Sequence, residues 1–312
     1  MGRIRRLGAV TDRGIIDLNF AAAARFSSMN DPRPHKAADF FVPSNMLDFL
    51  NAGPHALQSA EETVSWFSGN RPARGPNDEA LLYSMGNAIM CAPLPNPISL
   101  RDFYAFEDHV RTAFAKRDEP VPAEWYEMPV YYKSDHHNII GTDTDVLWPS
   151  FTQRFDYELE LAAIIGKKGA NIPASRADEY IAGFTIMNDF SARDIQRKEM
   201  KVRLGPAKGK DWCTGTGPWL VTRDEIGDPY NLRMTARING ELWSDANSSS
   251  IHWTFAQMIE FLTRNDTIYP GDILGSGTVG TGCGLELDRW VQRGDIIELE
   301  IEKIGVLRNR VV

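Results

Sequence analysis

From Asp156 to Ile165 the chain alternates charged and apolar positions and then turns wholly apolar, the pattern of a half-covered strand running into a buried interior. Ile296 to Ile301 alternates more strictly, with Ile297, Leu299 and Ile301 on one side and Glu298, Glu300 and Glu302 on the other. Two helices are predicted in the same half. One starts near Ser175 and carries Tyr180 and Ile181. The other sets Phe255, Met258, Ile259 and Leu262 along one stripe behind a capping-box signature, Thr254 with Gln257. Nearer the start, one helix is predicted around Ala56 to Phe67 among short strands broken by Pro and Gly, and MGRIRRLGAV reads as a first strand. Strands outnumber helices without a regular strand–helix alternation, so the expected fold is mixed and mainly β rather than a doubly wound sheet. The prolines between Pro93 and Pro97 hold their preceding residues extended. They set a boundary between a smaller α+β domain, 1–95, and a larger domain, 96–312.

Composition narrows the functional classes. A chain of 312 residues with 43% hydrophobic and 24% charged positions can bury a substantial core. Its net charge of -8, with no basic run, opposes a phosphate backbone and argues against nucleic-acid binding. Cys91, Cys213 and Cys283 are too far apart for a zinc-type pair and too few for a disulfide framework, which points to a reducing compartment. No apolar run approaches the roughly 18 residues of a membrane span, and a cytoplasmic location is expected.

The candidate chemistry starts at Glu158 and Glu160. Two apart on a strand, they share a face, and beside a buried segment they repel each other and lose hydration. Such a pair needs a raised pKa or a cation; the plainer alternative is a solvated face. Ile181 to Asp189 reads as a second strand that delivers an acid at its end, followed by a helical turn in which Asp189, Arg193 and Gln196 fall at i, i+4 and i+7. Asp189 could instead cap that helix. As a third hard oxygen donor it would complete a site suited to Mg²⁺, Mn²⁺ or Ca²⁺.

These segments, DYELELAAIIGK and GFTIMNDFSARDIQ, resemble the signature of the fumarylacetoacetate hydrolase family. So do Leu204-Gly-Pro, Gly209-Lys210-Asp-Trp, Gly217-Pro-Trp219, GDILGSGTVG and the tail IGVLRNRVV, in matching order from about residue 99 onward. The resemblance implies a β-roll catalytic domain, a homodimer and a small 2-oxo or β-diketo acid substrate. It implies Glu158, Glu160 and Asp189 as metal carboxylates. Arg193, Gln196 and Lys210 would hold substrate oxygens, Thr278 would meet a substrate carboxylate, and Tyr132 with Lys133 would lie over the pocket. The stretch Asp102 to His109 resembles that of fumarylacetoacetase, where a further metal carboxylate precedes the catalytic histidine by seven residues. Asp102 is thereby a fourth candidate ligand and His109 the base, oriented by Glu286. Shorter acylpyruvase-type members carry a Glu three residues after the histidine, where this chain has Thr112.

The implied activity is metal-assisted hydrolysis of a carbon–carbon bond in a β-diketo acid or acylpyruvate, with His109 activating water and Lys210 and Gln196 stabilising oxyanions. The alternatives are a 2-oxo acid decarboxylase or tautomerase on the same scaffold, and a non-catalytic metal- or ligand-binding module. Three further signals are set aside. Gly275 to Gly280 fits G-x-G-x-x-G, but the residues from Leu285 read as strand, not as the helix a dinucleotide site requires. His136 and His137 are adjacent and point apart on an extended chain. Cys213 reads as a small buried residue.

Overall fold

The computed structural model describes residues 5–70 and 72–312. The chain divides after Ile89 into two compact units. In the first, the strands Gly8–Thr11, Gly14–Asp17 and Leu82–Tyr83 form an antiparallel sheet. Met1 to Ile4 of the predicted opening strand lie outside the described residues. Four helices lie between the second and third of these strands, where one was expected: Leu18–Ser28, Pro34–Phe41, Met46–Ala52 and Pro54–Asn70. The first escapes a search for periodicity because Ala21 to Ala24 are buried in succession, so no polar face repeats. Its start is nevertheless marked by Asp17, whose carboxylate accepts the Phe20 N–H at 3.0 Å.

The second unit is built on a mixed seven-stranded sheet. Its spatial order is Tyr131–Ser134, Ser99–Phe103, Asp272–Gly275, Leu159–Ile165, Ile181–Asp189, Thr214–Thr222 and Ile139–Ile140. A four-stranded antiparallel sheet, in which Ile296–Ile301 pairs with both Arg233–Ile238 and Gly305–Arg310, packs its apolar side into the same core. Leu159, Leu161, Ala163 and Ile165 enter that core from one face of their strand, which leaves Glu160 on the other. The capping box at Thr254 and the helix Phe255–Leu262 form as predicted.

Two local predictions change. The helix expected from Ser175 is a 3₁₀ segment, Ala174–Tyr180, and Ile181 already opens the next strand. The segment from Leu285, expected as strand, starts with a single helical turn, Gly284–Leu287. Its first amides, from Gly284 and Leu285, donate to the Asp156 carboxylate at 2.8 and 3.0 Å. That buried acceptor satisfies N–H groups that a helix start leaves open.

Candidate active site

Sheet register collects the acidic groups. Tyr132 pairs with Asp102, Asp102 with Gly275, Gly275 with Ala162, and Glu160 with Met187. Residues opposite each other share a face, as do residues two apart on one strand. Tyr132, Asp102, Gly275, Glu160, Glu158 and Asp189 are therefore brought to one side. Gly275 leaves room for these side chains: a Cβ there would stand 2.3 Å from the Met187 methyl, 2.4 Å from Asp102 Oδ1 and 2.9 Å from Glu160 Oε2. The next turn closes the far side, with the Gly277 N–H donating to those same two oxygens at 3.2 and 3.0 Å.

One carboxylate oxygen from each of Asp102, Glu158, Glu160 and Asp189 lies within 4.8 Å of the others, and none of the four residues is more than 5% exposed. Two cations meet them. Lys210 Nζ donates to Glu158 Oε2 at 2.6 Å and to Asp189 Oδ2. Arg193 Nε donates to Asp156 Oδ2 at 2.8 Å, while its Nη2 makes charge contacts of 2.7 Å to Asp156 and 2.8 Å to Glu158. Gln196 Oε1 accepts from Arg193 at 3.2 Å, and the Tyr132 hydroxyl donates to Asp189 Oδ2 at 2.6 Å.

The charge balance remains negative, and the pKa directions follow from it. Burial first, then Asp189, pushes Asp102 well above the usual carboxylate range; burial, then Asp102 and Asp189, does the same to Glu160. Asp189 is also raised, because burial outweighs Lys210. Glu158 moves the other way: burial opposes its charge, but Lys210, Arg193 and then His109 together hold it below the ordinary range. Glu160 Oε1 and Asp189 Oδ1 are buried without a hydrogen-bond partner. Unpartnered carboxylate oxygens in an electron-rich, all-oxygen cluster fit a hard divalent cation.

This arrangement predicts how metal and pH act together on stability. Asp102 and Glu160 have folded-state pKa values above their unfolded ones. Without metal, the folded protein binds the extra protons, so stability is fullest below about pH 4 for these groups and is lost as pH rises through the raised values. A bound cation removes that loss. Thermal melts of stripped and Mn²⁺-loaded protein should show a melting-temperature gap that widens from pH 5 to pH 8; a constant gap would contradict the assignment.

The candidate base stands beside this cluster for a backbone reason. Glu158 forms an antiparallel bridge with Cys283, and the Asp156 clamp fixes the following turn that carries Glu286. His109, on the helix Glu107–Ala115, places Nδ1 2.5 Å from Glu286 Oε1, and both side chains are buried. The Thr281 N–H holds the other Glu286 oxygen at 2.9 Å. Tyr104 packs edge-on against the imidazole, ring centroids 5.2 Å apart.

Several sequence expectations change here. Asp189 is the last residue of a strand, and the helix Arg193–Lys201 is preceded by Ala192, so neither a common helical face nor a cap explains its position. Arg193 faces protein carboxylates and fastens Asp156 to Glu158. The Thr278 hydroxyl lies 3.4 Å from the Leu159 carbonyl oxygen. Lys133 is exposed and follows Tyr132 on a strand, so it points to the opposite face and stays outside the cluster. Lys133→Ala should therefore change kcat/KM by less than about twofold, as exposed substitutions away from special features do; a tenfold loss in steady-state assays would return Lys133 to the site. Asp156 joins the site as the partner of Arg193, and its parity with Glu158 and Glu160 is the sequence signal for it. Cys213 is buried, and burial followed by Asp189 pushes its thiol pKa upward, which opposes a nucleophilic role.

Known proteins place this geometry in context. The family model described as fumarylacetoacetate (FAA) hydrolase, C-terminal, matches residues 99–312. The oxaloacetate tautomerase YisK of Bacillus subtilis (strain 168) is 31% identical over 86% of this chain and 87% of its own length. The mitochondrial oxaloacetate tautomerase FAHD2A of Homo sapiens is 34% identical over 88% of this chain and 82% of its own. Among solved structures, fumarylpyruvate hydrolase from Pseudomonas aeruginosa, in complex with Mn²⁺ and pyruvate, aligns at a TM-score of 0.59 and 25% identity, covering 70% of this chain and 96% of that one. The chain belongs to the fumarylacetoacetate hydrolase family.

Proposed function

We propose that this protein is a metal-dependent tautomerase of a small 2-oxo dicarboxylic acid of the oxaloacetate type, interconverting its keto and enol forms. The observation that carries the reading is a buried imidazole–carboxylate pair next to a buried carboxylate cluster, in a chain whose relatives at 31% and 34% identity are named oxaloacetate tautomerases. Keto–enol exchange needs one proton moved between carbon and oxygen, and no attacking water.

Asp102, Glu158, Glu160 and Asp189 would hold Mg²⁺ or Mn²⁺, with Ca²⁺ accepting the same donors, and the bound ion would supply Lewis-acid polarisation of the 2-oxo group. Glu286 accepts the Nδ1 proton of neutral His109, which leaves Nε2 as the basic nitrogen. Nε2 takes the proton from C3 and delivers it to the 2-oxygen, or the reverse. Lys210 offsets the charges of Glu158 and Asp189 and keeps both able to hold a cation. Burial of these groups keeps competing water from the enol.

A second reading has its own support. The same dyad could activate water, and the aligned Pseudomonas aeruginosa structure is a fumarylpyruvate hydrolase. Products separate the two. The Mn²⁺-loaded enzyme is incubated in deuterated buffer with oxaloacetate and, separately, with a panel of acylpyruvates, and followed by proton NMR. Catalysed loss of the oxaloacetate C3 protons without net cleavage is the expected result. Release of pyruvate and a second acid from an acylpyruvate, with no acceleration of oxaloacetate exchange, would overturn it in favour of hydrolysis.

A further inference from the structure

We propose that Cys283, His109 and Glu286 form a second metal site, one that takes a borderline-soft cation such as Zn²⁺ and shuts off the base. The inference rests on His109 acting as proposed above. One ligand atom from each of the three lies within 4.8 Å of the others. Cys283 Sγ is 3.5 Å from Glu286 Oε1, and His109 Nδ1 is 2.5 Å from that oxygen. The three side chains are buried, and Cys283 is fully so. Thiolate, imidazole and carboxylate together favour zinc, whereas the neighbouring cluster offers oxygen alone and suits harder ions. The proton-transfer chemistry makes no use of Cys283.

The site is held in place, and its carboxylate borders a groove. Cys283 is fixed by its bridge to Glu158, and Glu286 by the Thr281 N–H. A groove of about 520 Å³ borders Glu286 and is also lined by Asp108, Asp245 and Arg111, so three carboxylates against one guanidinium leave it net acidic and favourable to a cation. Zinc bonds of about 2.0–2.3 Å in a tetrahedral arrangement separate ligand atoms by roughly 3.3–3.8 Å. The sulfur–oxygen separation already fits, and the imidazole–carboxylate contact must open by about 1 Å.

Binding forms Zn–S, Zn–N and Zn–O bonds. The thiol S–H bond breaks and its proton goes to solvent. The proton on Nδ1 is displaced and the neutral imidazole carries it on Nε2 instead. Nε2 then donates a hydrogen bond and no longer accepts a proton, so turnover stops while the carboxylate cluster stays loaded.

The test uses full-length protein loaded with Mg²⁺. Cd²⁺, a spectroscopic stand-in for zinc, is titrated while thiolate-to-metal charge-transfer absorption is recorded, and Zn²⁺ is titrated in the oxaloacetate assay. A saturable band at one equivalent is expected in the wild type and in Cys91→Ser, and is lost in Cys283→Ser, with Cys283→Ala as the second variant. The Zn²⁺ concentration that halves each variant's own rate should rise at least tenfold without the thiol, since even outer partners of a metal are worth about 10–100-fold in affinity. Absence of the band, or equal zinc sensitivity with and without the thiol, would overturn the site. A Cys283-dependent band in a protein that does not tautomerise oxaloacetate supports the site and defeats only the reading of His109.

Discussion

Replacing His109 by alanine is expected to slow oxaloacetate tautomerisation by about 10²–10⁴-fold, the usual worth of a positioned general base. The loss should fall on kcat. His109 pairs with Glu286 at the edge of the site, whereas the candidate metal ligands are the four carboxylates and the cations beside them are Lys210 and Arg193. Mn²⁺ affinity of the variant, measured by calorimetry, should accordingly stay within about threefold of wild type, because no ligand has been removed. Glu286→Gln provides the companion result. The amide keeps the shape but can no longer accept at both oxygens, so the imidazole loses the partner that fixes its tautomer. Activity should fall in this variant too, and the double variant should be no slower than His109→Ala alone. A His109→Ala enzyme with unchanged kcat would remove the dyad from the mechanism.

Glu160→Gln separates structure from function by opposite signs. Glu160 is fully buried, and burial with Asp102 and Asp189 opposes its ionisation. The amide removes a charge that the metal-free protein tolerates poorly and retains an oxygen for the Gly277 N–H. The stripped variant should therefore melt higher than stripped wild type at pH 8, by about 2 °C or more if roughly 1 kcal/mol of repulsion is relieved. It should also bind Mn²⁺ more than about 100-fold more weakly, since loss of a ligand exceeds the 10–100-fold typical of outer partners, and activity should disappear with the metal. A variant that is less stable without metal, yet binds Mn²⁺ normally, would show Glu160 to be a packing residue.

Local periodicity made part of this site legible. Alternation in Asp156 to Ile165 put Glu158 and Glu160 on one face, and the apolar parity of that strand supplied the core contacts that hold it there. Asp189 is legible as the acid that ends a second strand, whereas Asp102 and His109 come only through resemblance, because their convergence depends on strand order: nothing local shows that Asp272–Gly275 lies between Ser99–Phe103 and Leu159–Ile165. Gly275 lies in a stretch that also fits a false nucleotide motif, and only the fold shows that a side chain there would strike two carboxylates. Parity also separates Lys133 from Tyr132, since adjacent strand residues face opposite sides of the sheet. In the first unit, Leu18–Ser28 was hidden by uniform burial of its alanines, while Pro54–Asn70 was found because its apolar residues recur at helical spacing.

The measurement that bears most directly on the central claim is the decay of oxaloacetate enol absorbance, recorded with stripped enzyme and again after one equivalent of Mn²⁺ is restored. The stripped protein is expected to leave the buffer's own rate, and the decay to accelerate strongly once the metal returns. Equal acceleration with and without metal would contradict the claim.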